Sequence, residues 1–365
     1  MTLLSIQPGI MGISPYVAGE SEIKGVKQVI KLSSNEGALG PSPDAIKAYK
    51  NVSHSLHLYP DGNCTELRKA IAKTFSLDIE RIICSSGSDE IISLLCQAFA
   101  GPGDEVLHTE HGFLMYPISA KACGATPVSA FEVSLTANVD SLLESVTNKT
   151  RILFIANPNN PTGTYLPISE LQRLRERLRD DILMVIDSAY AEYVSEHDYS
   201  AGAAMVEERE NVVMTRTFSK IFGLGGIRLG WAYMPPKIID IMHRIRNPFN
   251  VSAAAQAAGT GAVLDLAFTK KAQQHNLKWL SWTREQVKEL GLSAPNSVGN
   301  FLLLCFDNMP RQTSELADLF LKNEGIIVRG MDNYGLPQSL RITIGTELEM
   351  RTVIECLKRF LAQNM

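Results

Sequence analysis

Short apolar runs alternate with helical stretches through roughly the first two thirds of the chain. Residues 81–85 (RIICS), 104–108, 126–130, 151–156 (RILFIA), 182–186 (ILMVI), 211–215 (NVVMT) and 229–233 read as strands. The runs are continuously apolar rather than alternating, as expected of strands buried on both faces of a mostly parallel sheet. Helical patterns at 44–50, 65–74, 88–100, 115–123 and 169–179 fall among and ahead of them. That alternation predicts an α/β fold with a mostly parallel seven-stranded sheet between helices. After residue 247 the texture changes. Long helical patterns at 253–277 and 279–290 lead into a strand–helix–strand–strand–helix ending, which predicts a smaller α+β domain. The first forty or so residues are irregular and end in GPSP (40–43). The expected division is an N-terminal arm (1–44) joining the small domain, a large domain (45–247) and a small C-terminal domain (248–365).

In an open α/β sheet, ligands bind beyond the carboxyl ends of the strands. The residues just past each apolar run are therefore informative. After RIICS comes Ser86-Gly87-Ser88-Asp89-Glu90, a small-residue turn entering a helix. After RILFIA comes Asn157-Pro158-Asn159-Asn160-Pro161-Thr162-Gly163, and after ILMVI comes Asp187-Ser188-Ala189-Tyr190. After NVVMT come Arg216, Thr217, Phe218, Ser219 and Lys220, then Gly223, Gly225, Gly226 and Arg228.

Each signal has a plain reading when taken alone. Asp187 could cap the next turn, Lys220 could be a solvated loop lysine, and Gly87–Asp89 could be an ordinary helix start. Together they suit a phosphorylated, cationic aromatic cofactor. A carboxylate following an aliphatic strand is buried and needs a cationic partner. A desolvated lysine among cations is a nucleophilic amine suited to a Schiff base. A helix N-terminus with Thr217, Ser219 and Arg228 suits a phosphate dianion. Asn160 and Tyr190 are donors that could hold a ring oxygen.

Composition narrows the field. Lys+Arg number 35 against 39 Asp+Glu, a formal net charge of −4, with no dense basic block. Neither a nucleic-acid nor a membrane partner is expected. The six cysteines form no C-x-x-C pair and read as reduced core thiols, not as metal ligands. No signal peptide is expected at the N-terminus, and no apolar run approaches the roughly 20 residues that span a bilayer. The expectation is a soluble, cytoplasmic protein.

The segments Asn160-Pro-Thr-Gly, Asp187-x-x-Tyr190 and Thr217-Phe-Ser-Lys220, with Arg228 eight residues on, resemble the fold-type I pyridoxal-phosphate aminotransferases. Further motifs are similar to the histidinol-phosphate branch of that family. They are Ser14-Pro15-Tyr16, Lys31-Leu-Ser-Ser-Asn35-Glu36, Gly40-Pro-Ser-Pro43, Tyr59-Pro60-Asp61-Gly62, Gly87-Ser-Asp89-Glu90 and Leu340-Arg341-Ile-Thr-Ile-Gly345. The likeness covers nearly the whole chain.

The resemblance implies roles. Lys220 forms the Schiff base with pyridoxal 5'-phosphate and shuttles the proton. Asp187 binds the pyridine nitrogen, and Asn160 and Tyr190 bind the ring hydroxyl. Ser88 and Asp89 (through backbone amides), Thr217, Ser219 and Arg228 bind the phosphate. Phe113 stacks on the ring. Tyr59 reaches the partner subunit's cofactor in a homodimer with shared sites. Arg341 anchors the substrate carboxylate, Arg329 helps bind the substrate phosphate, and Tyr16 closes over it. The implied substrates are histidinol phosphate and glutamate or 2-oxoglutarate.

Two positions depart from the family pattern. Gly37-Ala38-Leu39 stands where Asn-Glu is usually followed by Pro-Tyr, and the stacking position, usually Tyr, is Phe113. Aromatic amino-acid aminotransferases and threonine-phosphate decarboxylases would share the fold and the lysine. A regulator built on this fold would carry a helix-turn-helix module, and none is expected here.

Overall fold

The computed structural model describes residues 6–15, 19–26, 29–310 and 312–364. Seven strands form one sheet. In chain order they are β1 (Ile82–Ser85), β2 (Glu105–Thr109), β3 (Thr126–Ala130), β4 (Thr150–Ala156), β5 (Leu183–Asp187), β6 (Val212–Thr217) and β7 (Gly230–Tyr233), in spatial order β1-β7-β6-β5-β4-β2-β3. β7 runs antiparallel to both its neighbours, and the other pairings are parallel. The α/β class and the mostly parallel sheet expected from the apolar runs are therefore found.

The central strands β5, β6 and β7 are buried at every position. Apolar clusters cover both faces of the sheet. One contains Ile155, Met184, Met214 and Trp231; the other contains Phe154, Val185, Val213 and Ala232. Alternate residues of one strand thus serve opposite cores, which explains why these runs are apolar throughout.

Strand direction decides where chemistry collects. The carboxyl ends of β1, β4, β5 and β6 open on one edge. Antiparallel β7 brings its beginning to the same edge, with Gly230 opposite both Ser85 and Thr217. The segment just before β7, which carries Arg228, is delivered there too. A buried guanidinium fastens β5 to the helix before it. Arg175 donates to the carbonyls of Leu178 (2.8 Å), Arg179 (2.8 Å) and Ile182 (3.1 Å) at the C-terminus of the helix Ile168–Arg177. Each buried carbonyl left unpaired would cost about 1–3 kcal/mol.

A second sheet of three strands, β8 (Phe301–Cys305), β9 (Arg329–Gly330) and β10 (Ser339–Thr343), lies in the order β8-β10-β9 and is wholly antiparallel. Its core includes Leu302, Leu304, Leu340, Ile342 and residues of the helix Glu347–Asn364. The arm joins this core. Ile30–Lys31 pairs in parallel with Ile326–Ile327, and Leu32 is buried among the same side chains.

Two expectations need correction. The long helical pattern breaks at Asp265, not near Lys278: the helices are Ala253–Leu264 and Leu266–Glu289. Asp265 caps the second, accepting from Phe268 N at 3.0 Å, so a polar N-cap stops one helix and starts the next. The strand expected after the helix of the C-terminal strand–helix–strand–strand–helix ending is two short pieces, because Ile326–Ile327 pairs with the arm and β9 pairs with β10.

Five cysteines are buried and Cys123 is half-buried; all are free thiols. Among the described residues, no helix is long and apolar enough to cross a membrane. No cluster of three or more His, Cys, Asp or Glu among them is placed to hold a metal ion.

Candidate active site

A cavity of about 200 Å3 opens at the strand edge between the large sheet and β9–β10. Of the residues predicted to form the site, Ser88, Asp89, Phe113, Asn160, Asp187, Tyr190, Thr217, Ser219, Lys220, Arg228, Arg329 and Arg341 all line it. Tyr59 lies elsewhere: it is 83% exposed and stacks on Phe249 with ring centroids 4.7 Å apart. Tyr16 falls outside the described residues.

Asp187 is the last residue of β5 and is buried. Two hydroxyls hold its carboxylate: Tyr116 Oη donates to Oδ2 at 2.8 Å, and Thr215 Oγ1 donates to Oδ1 at 3.1 Å. Among the described residues no cation pairs with it. Burial outweighs these donors and pushes its pKa upward. A cationic ring nitrogen at this position would favour the ionised carboxylate. Neither hydroxyl was singled out from sequence. Thr215 had a signal: it is the polar residue that ends NVVMT, and it sits directly beside Asp187 in the β5–β6 register. Tyr116 is fixed by tertiary packing, stacked on Phe154 at 4.7 Å.

Lys220 follows β6 by three residues. Its Nζ donates to the backbone carbonyl of Ser34 at 3.2 Å and lies 5.6 Å from the centre of the Tyr190 ring. Burial, with the positive charge of Arg341 second, pulls its pKa down to about 8. It is thus a partly neutral amine near physiological pH. Gly37 abuts its carbonyl: a Cβ there would stand 2.8 Å from Lys220 O. The departure from the family pattern at 37 is therefore matched by close backbone contact with the lysine loop.

The opposite end of the cavity suits an anion. The helix Ser88–Phe99 begins at Gly87 with no side-chain cap, which leaves amide donors at its N-terminus. Two glycines keep that end clear. A Cβ on Gly87 would lie 2.4 Å from Arg228 Nη2, and one on Gly230 would lie 2.4 Å from Ser88 N. Arg228 donates to Asp89 Oδ2 (2.9 Å), Ser219 Oγ (3.4 Å) and Gly225 O (3.2 Å). The ion pair with Asp89 was not foreseen. It holds the guanidinium beside the helix terminus, and it means that Asp89 offers more than a backbone amide.

Arg341, on β10, is buried. It donates to Asn160 Oδ1 and, at 2.9 Å, to Ser33 O. With its oxygen so engaged, Asn160 keeps its NH2 as the remaining donor. Tyr190 Oη accepts from Asn35 Nδ2 at 2.9 Å. Phe113 meets Tyr116 edge-on at 5.9 Å. Tyr334, which sequence reasoning passed over, completes the wall near Arg329 and Arg341.

The donor set fits pyridoxal phosphate. A buried carboxylate suits the ring nitrogen, a depressed amine suits the aldehyde carbon, and an uncapped helix start with Arg228 suits the phosphate. These are the groups that would hold it.

The comparisons agree with this geometry. The family described as Aminotransferase class I and II matches residues 27–357. Among similar proteins, a histidinol-phosphate aminotransferase of Paramagnetospirillum magneticum is 56% identical, with 99% of each chain covered. One of Rhodospirillum rubrum is 53% identical, covering 98% of this chain and 96% of its own. The crystal structure of a histidinol-phosphate aminotransferase from Sinorhizobium meliloti in complex with pyridoxal-5'-phosphate superposes with a TM-score of 0.90 over the whole of both chains. At 21% identity that last likeness speaks for the fold alone. The buried acid, the depressed lysine and the match from residue 27 to residue 357 lead to one conclusion: this chain belongs to the class I and II aminotransferase family.

Proposed function

We propose that this protein is a pyridoxal-phosphate-dependent transaminase acting between L-histidinol phosphate and 2-oxoglutarate, giving imidazole-acetol phosphate and L-glutamate in L-histidine biosynthesis. The observation that carries the reading is the identity of 48–56% to histidinol-phosphate aminotransferases over nearly the whole chain. It is joined to a cavity that holds an amine, a buried acid and two further arginines.

When bound, pyridoxal phosphate supplies a cationic ring that withdraws electrons from the substrate Cα. The rest falls to the chain. Asp187 would keep the ring nitrogen protonated, because a buried carboxylate without a cation is costly. Asn160 and Tyr190 would donate to the ring oxygen, and Phe113 would pack against the ring. Arg228, Ser219, Thr217 and the helix start would hold the phosphate. Lys220 Nζ would take the proton from the substrate Cα and deliver it to the carbon that carries the cofactor's aldehyde. General acid–base catalysis of this kind contributes roughly 10²–10⁴-fold. Arg341 and Arg329 both line the cavity, so one site can receive either a carboxylate or a phosphate ester.

The reading includes a division into arm (1–44), large domain (45–247) and small domain (248–365), supported by the separate cores of the two sheets. It also includes action in the cytoplasm, which the six free thiols suit. It includes a homodimer in which Tyr59 of one protomer serves the other's phosphate. Exposed Leu56, Leu58, Tyr59 and Phe249 form the kind of apolar surface a second copy would cover.

Three measurements test this. Histidinol phosphate should show a much higher kcat/KM than phenylalanine, each with 2-oxoglutarate as acceptor; the reverse order would assign the site to aromatic amino acids. Sedimentation of the active protein should give twice the chain mass, and a fully active monomer would remove Tyr59 from the site. The rate at which cofactor-free protein captures pyridoxal phosphate covalently should rise with pH to a midpoint of about 8, since only the neutral amine adds to the aldehyde. Lys220→Ala should abolish the covalent product, and a midpoint near the ~10.4 of an ordinary lysine would show that the amine is not depressed.

A further inference from the structure

The Tyr190 hydroxyl is gripped from the arm, and the grip has a direction. Asn35 Nδ2 and Tyr190 Oη are 2.9 Å apart, and both residues are buried. Either group could in principle be turned, so the orientation of the Asn35 amide decides which one donates. Thr343 settles it. The backbone N–H of Asn35 donates to Thr343 Oγ1 at 2.9 Å, and that hydroxyl donates its single proton to Asn35 Oδ1 at 3.2 Å. With Oδ1 taking the threonine proton, the NH2 must face Tyr190. An amide NH2 only donates, so Tyr190 Oη is an acceptor on this side and its own proton points elsewhere.

The surroundings leave one useful direction. The Tyr190 ring packs edge-on against Phe301 at 5.1 Å, and the residue lines the cavity beside Asp187 and Lys220. Burial and the nearby Asp187 keep the phenol protonated, against the opposing pull of Arg341 and the Asn35 bond. The proton is therefore retained and available inside the cavity. The backbone is built for the grip as well. Asn35 sits at φ +56°, a left-handed conformation that asparagine tolerates better than most residues. Asn300 Nδ2 holds its carbonyl at 3.0 Å.

We infer that Asn35 is a positioning residue that fixes Tyr190 as a hydrogen-bond donor into the cavity, toward the ring oxygen of the bound cofactor, with Thr343 setting the sense of the relay. This rests on the cofactor assignment above. A donor to the ring oxygen favours its anionic form, so losing the donor raises the pH at which the proton shared between that oxygen and the lysine nitrogen is released.

The test is a pH titration of the visible absorbance of the pyridoxal-phosphate-loaded protein, which reads that proton without turnover. Tyr190→Phe should move the midpoint up by about one pH unit, the size of one such hydrogen bond. Asn35→Asp should move it the same way, because an ionised carboxylate accepts only and draws the Tyr190 proton out of the cavity. Asn35→Gly, which suits the left-handed backbone, should also raise it and serves if the Asp variant does not fold. In combination with Tyr190→Phe, neither Asn35 change should add anything. An Asn35 variant that folds and keeps the wild-type midpoint overturns the inference, and so does a shift that adds to that of Tyr190→Phe. Wild-type protein that shows no pH-dependent absorbance with pyridoxal phosphate overturns the cofactor assignment as well.

Discussion

A carboxylate taken out of water at the end of β5 constrains everything around it. Asp187 has no cation among the described residues, only two hydroxyl donors, and burial pushes its pKa up. Such a group is expensive unless a positive partner arrives. The fold nonetheless places it at the centre of the sheet edge, between the Asn157–Asn160 segment after β4 and the lysine loop after β6. Tyr116 and Thr215 orient the two oxygens. The arrangement suits a protonated ring nitrogen.

The rest of the cavity is sorted by charge along the same edge. At one end, Arg228 stands beside an uncapped helix start; at the other, Arg329 and Arg341 come in on β9 and β10. Lys220 lies between, its pKa lowered by burial and by Arg341. The arm ties the Arg341 end to the lysine and to Tyr190. Three successive residues each hold one group of the site: Ser33 O takes Arg341, Ser34 O takes Lys220, and Asn35 Nδ2 takes Tyr190. Because the arm is also paired to Ile326–Ile327, the small sheet and the lysine loop are linked through this short strap.

Much of this was legible in the sequence, for a physical reason. Buried parallel strands are apolar throughout, so a polar residue at the end of one stands out. Asp187, Asn160 and the Thr217–Lys220 turn were found that way. The partners that tune those groups were harder to see. Asn35 meets Thr343 across 308 residues, and Tyr116 meets Asp187 across 71. No local spacing carries such contacts. Asp89 was expected to offer only its backbone, because nothing in the chain order places it beside Arg228. Tyr59 lies outside the cavity of its own chain. The helix break at Asp265 was missed because the apolar pattern runs on through it, and only the cap geometry reveals the stop.

The central claim is that Asp187 holds the cofactor ring protonated. Its most direct measurement is the rate of half-reaction with histidinol phosphate in Asp187→Asn, after verifying that pyridoxal phosphate is still bound. An amide keeps the size and one acceptor but not the charge, so the account predicts a rate lower by roughly 100-fold or more. A near-normal rate with the cofactor in place would contradict it.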